Sequence, residues 1–224
     1  MTNEIKAVIF DWGNVIAQFT NENFIQYLVP YTDKTPEELT KLIYPAKMPL
    51  GNTPGLITSG LPEQYELGSI TSNEFYQGIR ELTGADISKE TFSEIYVQDK
   101  FWPISSTIGI MRKLKRSGRT VGLLSNTSEW DYELGFKPVF RRARIEPDFE
   151  SLAFEVGVLK PSPEIYLDAL GKLQRLEISA EQCVYIDDVK KYAEAAKKFG
   201  MVGIHYTHGK DNLETQLIDA GALI

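Results

Sequence analysis

Four polar groups recur at or beyond the ends of short apolar runs, and together they suit phosphoryl transfer. Asp11 closes "AVIF" and is followed by Trp12, Gly13 and Asn14; Ser125-Asn126-Thr127 follows "VGLL". Lys160 lies in "GVLKPSPEIY", and Asp187-Asp188 closes "CVYI". A carboxylate such as Asp11 can attack phosphorus and carry the group as an aspartyl phosphate. Beyond that, the reaction needs positioning and neutralisation of the equatorial oxygens. The Ser125 hydroxyl, the Lys160 ammonium and the backbone amides of the Trp12-Gly13-Asn14 turn are donors of the right kind. A hard cation such as Mg²⁺ takes a few oxygen ligands and keeps several waters. Asp11 and Asp188 offer carboxylates for it, and Gly13 a backbone carbonyl. Each group also has a plainer reading: a strand-end Asp forms turns and caps helices, "SNT" can cap, and Lys160 can be a solvated side chain. Their ordered combination favours the chemistry.

The elements that must position these groups are legible as patterns. Five apolar runs read as buried strands: Ala7 to Phe10, Thr120 to Leu124, Leu152 to Phe154, Cys183 to Ile186 and Val202 to His205. Between them lie helical periodicities. Ile108, Met111 and Leu114 share a face before Gly118; Tyr192, Ala195, Ala196 and Phe199 share another before Gly200. This alternation predicts an α/β fold, a parallel sheet with helices on both faces. Ligands of such sheets sit beyond the carboxyl ends of the strands. Residues 18–103 break the rhythm. There Thr71 and Glu74 form a capping box ahead of Phe75, Ile79 and Leu82, and Gly84 closes the helix. The stretch is read as a helical insertion after the first strand, with hinges near Ala17 to Phe19 and Trp102 to Ile104. Its "PLGNTPGLITSG" segment is a long loop of the kind that overhangs ligand sites.

Composition narrows the possibilities. The chain has 224 residues, 42% hydrophobic and 25% charged, enough for a large core without a structural metal. A net charge of −7 and a pI near 5.0 give no basic footprint for nucleic acid or an anionic membrane. No apolar run is long enough to span a bilayer or act as a leader. Cys183 is the single cysteine, so no internal disulfide forms and a cytoplasmic setting is expected. The stretch "FRRARI" reads as solvated surface. His205 and His208 are the only histidines, and a structural role is expected for them.

The ordered set "FDWGNV", "LLSNT", "LKPSPEIY", "YIDD" resembles the motifs of the haloacid dehalogenase superfamily along nearly the whole chain. The resemblance implies a Rossmann-like core over 1–17 and 104–224 with a helical cap over 18–103. It further implies Asp11 as nucleophile, Ser125 and Lys160 as phosphate ligands, Asn126 assisting through its backbone amide, and Asp188 as a Mg²⁺ ligand with Asp187 adjoining. Two departures stand out. Phosphatases of this superfamily usually carry an acid two residues after the nucleophile, where this chain has Gly13. The turn after Asp188 offers Lys190, Lys191 and Tyr192 rather than another acid or amide.

The first reading is therefore a Mg²⁺-dependent phosphatase of a small phosphorylated metabolite. Its Asp-x-Gly-Asn signature is similar to the sugar-phosphate phosphatase branch, and an anomeric oxygen leaves with little help from a proton donor. A second reading is a catalytically weak binding or regulatory protein, favoured by Gly13. A third is hydrolytic dehalogenation, which needs no cation and which the Asp187-Asp188 pair argues against.

Overall fold

The computed structural model describes residues 4–45 and 60–223; the expected loop over 49–60 lies outside them except for Gly60. In chain order the first half comprises β1 (Ala7–Phe10), β2 (Ala17–Phe19), α1 (Glu22–Leu28), α2 (Pro36–Ile43), α3 (Leu61–Glu66), α4 (Ser72–Thr83), α5 (Lys89–Val97) and β3 (Phe101–Pro103). The second half comprises α6 (Ser105–Arg116), β4 (Thr120–Ser125), a π-helical turn Asp131–Phe136 running into α7 (Lys137–Ala143), β5 (Phe149–Leu152), α8 (Ala153–Val156), α9 (Pro163–Gln174), β6 (Cys183–Asp187), α10 (Lys190–Lys197), β7 (Val202–His205) and α11 (Leu213–Asp219).

The main sheet is parallel throughout, in the order β5-β4-β1-β6-β7. Its central strands are unbroken apolar runs because both faces are covered. Val8 and Phe10 of β1 enter one apolar cluster, and Ala7 and Ile9 enter the other. Val184 and Ile186 of β6 divide from Cys183 and Tyr185 in the same way. That two-residue alternation places an apolar layer on each side of the sheet. The Cys183 thiol, wholly buried, is pushed up to about 12 by burial, as befits a core residue.

The expected helices are present. Ile108, Met111 and Leu114 are buried on α6, and Gly118 follows in a left-handed conformation. The Thr71–Glu74 capping box starts α4 and left-handed Gly84 ends it. Leu82 is a correction: it is 37% exposed. The buried stripe of α4 comprises Phe75, Tyr76, Ile79 and Thr83, which leaves Leu82 at its margin.

Two further expectations shift. The third strand is Phe149–Leu152, and Ala153 to Val156 turn into α8 rather than extending it. "FESL" escapes notice because it is an edge strand whose Glu150 breaks the apolar run. Its register is fixed where Phe149 lies over Gly122, whose absent Cβ would stand 2.3 Å from the ring. The other shift is in the inserted segment, read as strand-free. β2 and β3 pair antiparallel, Ala17 with Pro103 and Phe19 with Phe101, where hinges were expected. Strands of three residues are too short to show a period.

Between the ribbon strands, α1–α5 build their own apolar cluster, including Phe24, Leu39, Tyr65, Phe75 and Phe92. Trp130, which follows β4, is its one contributor from outside the insertion among the described residues.

Candidate active site

The parallel strands end together, and the ladder fixes which residues emerge there. Phe10 pairs with Leu123 on one side and Ile186 on the other. Asp11 is the next residue of its chain, anchored by its amide donating to the Ile186 carbonyl at 2.9 Å. Asp187 is likewise one residue beyond its pair, and Ser125 two. All three stand at the carboxyl edge, buried.

Lys160 arrives from the loop after α8. Its amide donates to Asn126 Oδ1 at 2.8 Å, so the Asn126 side chain holds the lysine's main chain in place. The ammonium, on a residue 1% exposed, lies 2.8 Å from Asp11 Oδ1, 2.8 Å from Asp187 Oδ2 and 3.0 Å from the Tyr185 hydroxyl. Tyr185 donates in turn to Asp187 Oδ2, while Asp187 Oδ1 accepts from the Val189 amide. A buried lysine is tolerated only when paired and hydrogen-bonded, and here all three N–H directions have acceptors. The bland reading of a solvated loop lysine is thereby overturned.

Asp188, half-buried, is held at both ends. Asn14 Nδ2 donates to its Oδ2 at 2.9 Å, and His205 Nε2 contacts its carbonyl at 3.0 Å. Asn14 adopts φ 53°, a left-handed conformation that Asn tolerates. Carboxylate oxygens of Asp11, Asp187 and Asp188 all lie within 4.8 Å of one another. The crowding shows in their acidity. Burial raises Asp11 to about 7, opposed by Lys160 and reinforced by Asp187 and Asp188. Burial also raises Asp188 to about 6, opposed by the Asn14 hydrogen bond. Burial alone would lower the Lys160 ammonium; Asp11 and Asp187 outweigh it and hold the group above its usual range.

Trp12 does not present its side chain to this cluster. The indole is 1% exposed, stacked on Phe136 at 3.7 Å and edge-on to Phe101 and Phe140. Its main chain shapes the turn instead, with the Trp12 carbonyl accepting from Ile16 and Ala17. Among the described residues no acceptor takes the amides of Trp12 or Gly13.

Glu129 and Asp131, two acids after Ser125-Asn126-Thr127, serve a different purpose. Asp131 accepts from Lys100 at 2.5 Å, beneath the Tyr96 ring, and Glu129 accepts from Ser72. Ser72 bonds Tyr65, whose hydroxyl accepts from the Trp130 amide. These contacts fasten α1–α5 to the segment that follows β4. Sequence reasoning missed Tyr185, Lys100 and the role of Trp130. The signal for Tyr185 was a polar-tipped residue two before Asp187 on a buried strand, since such a hydroxyl needs a partner.

The oxygen-only donor set of Asp11, Asp187 and Asp188 fits a hard divalent cation. The family model of haloacid dehalogenase-like hydrolases matches residues 5–200. A curated relative, the sesquiterpene phosphatase astK of Aspergillus oryzae, is 26% identical over 215 residues, covering 96% of this chain and 95% of that protein. A HAD-family enzyme of Bacteroides thetaiotaomicron, solved with magnesium and inorganic phosphate, superposes with a TM-score of 0.73 at 22% identity, covering 94% of this chain and 98% of the other. A protein of Porphyromonas gingivalis described as a predicted HAD-like family hydrolase gives 0.72 at 20% identity, covering 96% and 98%.

Proposed function

The chain belongs to the haloacid dehalogenase-like hydrolases, and from that premise we propose that it is a Mg²⁺-dependent phosphatase working through an aspartyl phosphate on Asp11. The observation that carries this reading is the Lys160 ammonium set 2.8 Å from both Asp11 and Asp187 within a carboxylate cluster at the sheet's carboxyl edge. The name of the sesquiterpene phosphatase relative supports the reaction class.

Asp11 Oδ attacks phosphorus in line, the P–O ester bond breaks, and its electron pair leaves on the alcohol oxygen. That oxygen takes its proton from water, because Gly13 provides no donor. Water then attacks the acyl phosphate, freeing the carboxylate and inorganic phosphate. Lys160 orients Asp11 and neutralises a phosphoryl oxygen, with Asp187 and Tyr185 locking the lysine. Ser125 and the open amides of Trp12 and Gly13 donate to the remaining oxygens, and Asn126 sets the lysine's main chain. Asp11, the Gly13 carbonyl and Asp188 would hold Mg²⁺, with Asp187 adjoining. The bound cation supplies the positive charge that keeps Asp11 ionised beside an anionic substrate.

The substrate is a small phosphate monoester. The test is phosphate release from an aryl phosphate and from a panel holding glucose 1-phosphate, glucose 6-phosphate and a sesquiterpenyl phosphate, with Mg²⁺ and with EDTA. Mg²⁺-dependent turnover that Asp11→Asn abolishes is expected. Silence of both proteins across the panel would instead favour the binding-protein reading, and chloride release from 2-chloropropionate the dehalogenase.

A further inference from the structure

The point from which the missing acid's side chain would start is tight against Phe19. A Cβ added at Gly13 would stand 3.0 Å from Phe19 Cε1, 3.3 Å from Phe19 Cδ1 and 3.9 Å from Asp11 Oδ2. Gly13 is not among the positive-φ glycines, so its backbone admits an L side chain, and the obstacle is the ring. Phe19 comes from β2, where it pairs with Phe101 across the ribbon, and it is 42% exposed. An aromatic ring thus stands partly in water next to a buried carboxylate aimed at phosphorus. Exposed apolar area of this kind gains free energy when a ligand covers it, and a ring offers its face to another apolar group. A polyol brings less apolar area to that face than an alkyl chain and so gains less from covering it.

The geometry points to Phe19 as a specificity-determining residue that receives the alcohol portion of the substrate and selects phosphate monoesters of apolar alcohols over sugar phosphates. This inference rests on the proposed phosphatase reaction and narrows its substrate class. It also gives the absent acid a physical account: an aromatic surface for the leaving group stands against the point where a proton donor's side chain would start.

The test compares n-hexyl phosphate with glucose 1-phosphate, with Mg²⁺, for the wild type, Phe19→Ala and Phe19→Leu. The wild type should favour hexyl phosphate. Phe19→Ala should lower kcat/KM for hexyl phosphate about ten-fold, mainly through KM, and leave glucose 1-phosphate within about two-fold, a size set by one apolar contact. Phe19→Leu should restore most of the loss. Preference for glucose 1-phosphate, or equal losses on both esters, would overturn the inference. If the wild type hydrolyses neither ester, calorimetry decides the Phe19 inference separately from the phosphatase reading, which the wider panel tests. Hexylphosphonate must then bind more tightly than methylphosphonate, with the advantage lost in Phe19→Ala; equal affinities would refute it. A folding readout checks the packing: Gly13→Asp should lower Tm, and adding Phe19→Ala should recover it, whereas an unrecovered Tm would show that the ring is not the obstacle.

Discussion

Asn14 and Asp188, 174 positions apart in the chain, are joined by a 2.9 Å hydrogen bond from amide to carboxylate. The bond ties the turn after β1 to the turn after β6, the two segments that supply the proposed metal ligands. It fixes the direction of the Asp188 carboxylate through its Oδ2. Partners of this kind orient a metal ligand, and losing one typically weakens metal affinity about 10–100-fold. Asn14→Gly removes the amide while keeping the left-handed backbone unstrained. Mn²⁺ titration followed by electron paramagnetic resonance should show affinity weakened about 10–100-fold. Unchanged affinity would mean that Asp188 finds its orientation without help.

Lys160 balances two buried acids. Replacing it by Met leaves Asp11 and Asp187 without their cation, and loss of one partner from a buried pair destabilises by about 3–5 kcal/mol. For a chain of this size the expected fall in Tm is on the order of 10 °C. Adding Asp187→Asn to Lys160→Met should return part of it, because the amide carries no charge. Calorimetric melts that do not separate the three proteins would contradict the bonding described at this lysine.

The raised acids make stability depend on pH. Asp11 titrates near 7 when folded against 3.8 ordinarily, so between those values the folded state holds more protons than the unfolded one. Stability therefore falls as pH rises through that window. Asp188, at about 6, acts in the same direction. So does Glu66, raised to about 7 by burial and then by Asp131. A tenfold difference in proton affinity between the folded and unfolded chain is worth about 1.4 kcal/mol, and the joint effect is of the order of a few kcal/mol. In EDTA, Tm should decline from about pH 5 to about pH 7. With Mg²⁺, which needs the ionised carboxylates, the gain in Tm should grow over the same range. A Mg²⁺ increment independent of pH would speak against these acids as ligands.

Trp130 is the fourth target. Its ring packs among Tyr65, Phe75, Phe92 and Tyr96, with centroids 5.7–6.3 Å away. Trp130→Ala should destabilise by about 3–5 kcal/mol. Limited proteolysis should then cut within α1–α5 before the sheet region, and cleavage at an unchanged rate would show that the tryptophan anchors nothing.

Much of this arrangement was legible in the residues themselves. Ala7 to Phe10 and Cys183 to Ile186 announced their strands because both faces of the sheet are covered, and a strand enclosed on two sides must be apolar at every position. Asp11, Ser125, Lys160 and Asp187 could be assigned to one edge because parallel strands end on the same side. The ribbon was hidden because strands of three residues carry no period. Asn14 was ambiguous for a different reason: its acceptor depends on which turn faces it, and only the sheet order β4-β1-β6 brings Asp188 alongside. Phe19 gave no signal, because its position depends on a glycine six residues earlier.

Trp130 follows Ser125 by only five positions, so the piece of chain proposed to grip phosphate is also the root of the helical layer. A ligand that drew the Ser125 turn inward would pull on that layer through the short connection, and a layer that lifted would loosen the proposed hold of the hydroxyl. Coupled in that way, grip and closure would be two readings of a single equilibrium, and by reciprocity whatever steadied one would strengthen the other to the same degree.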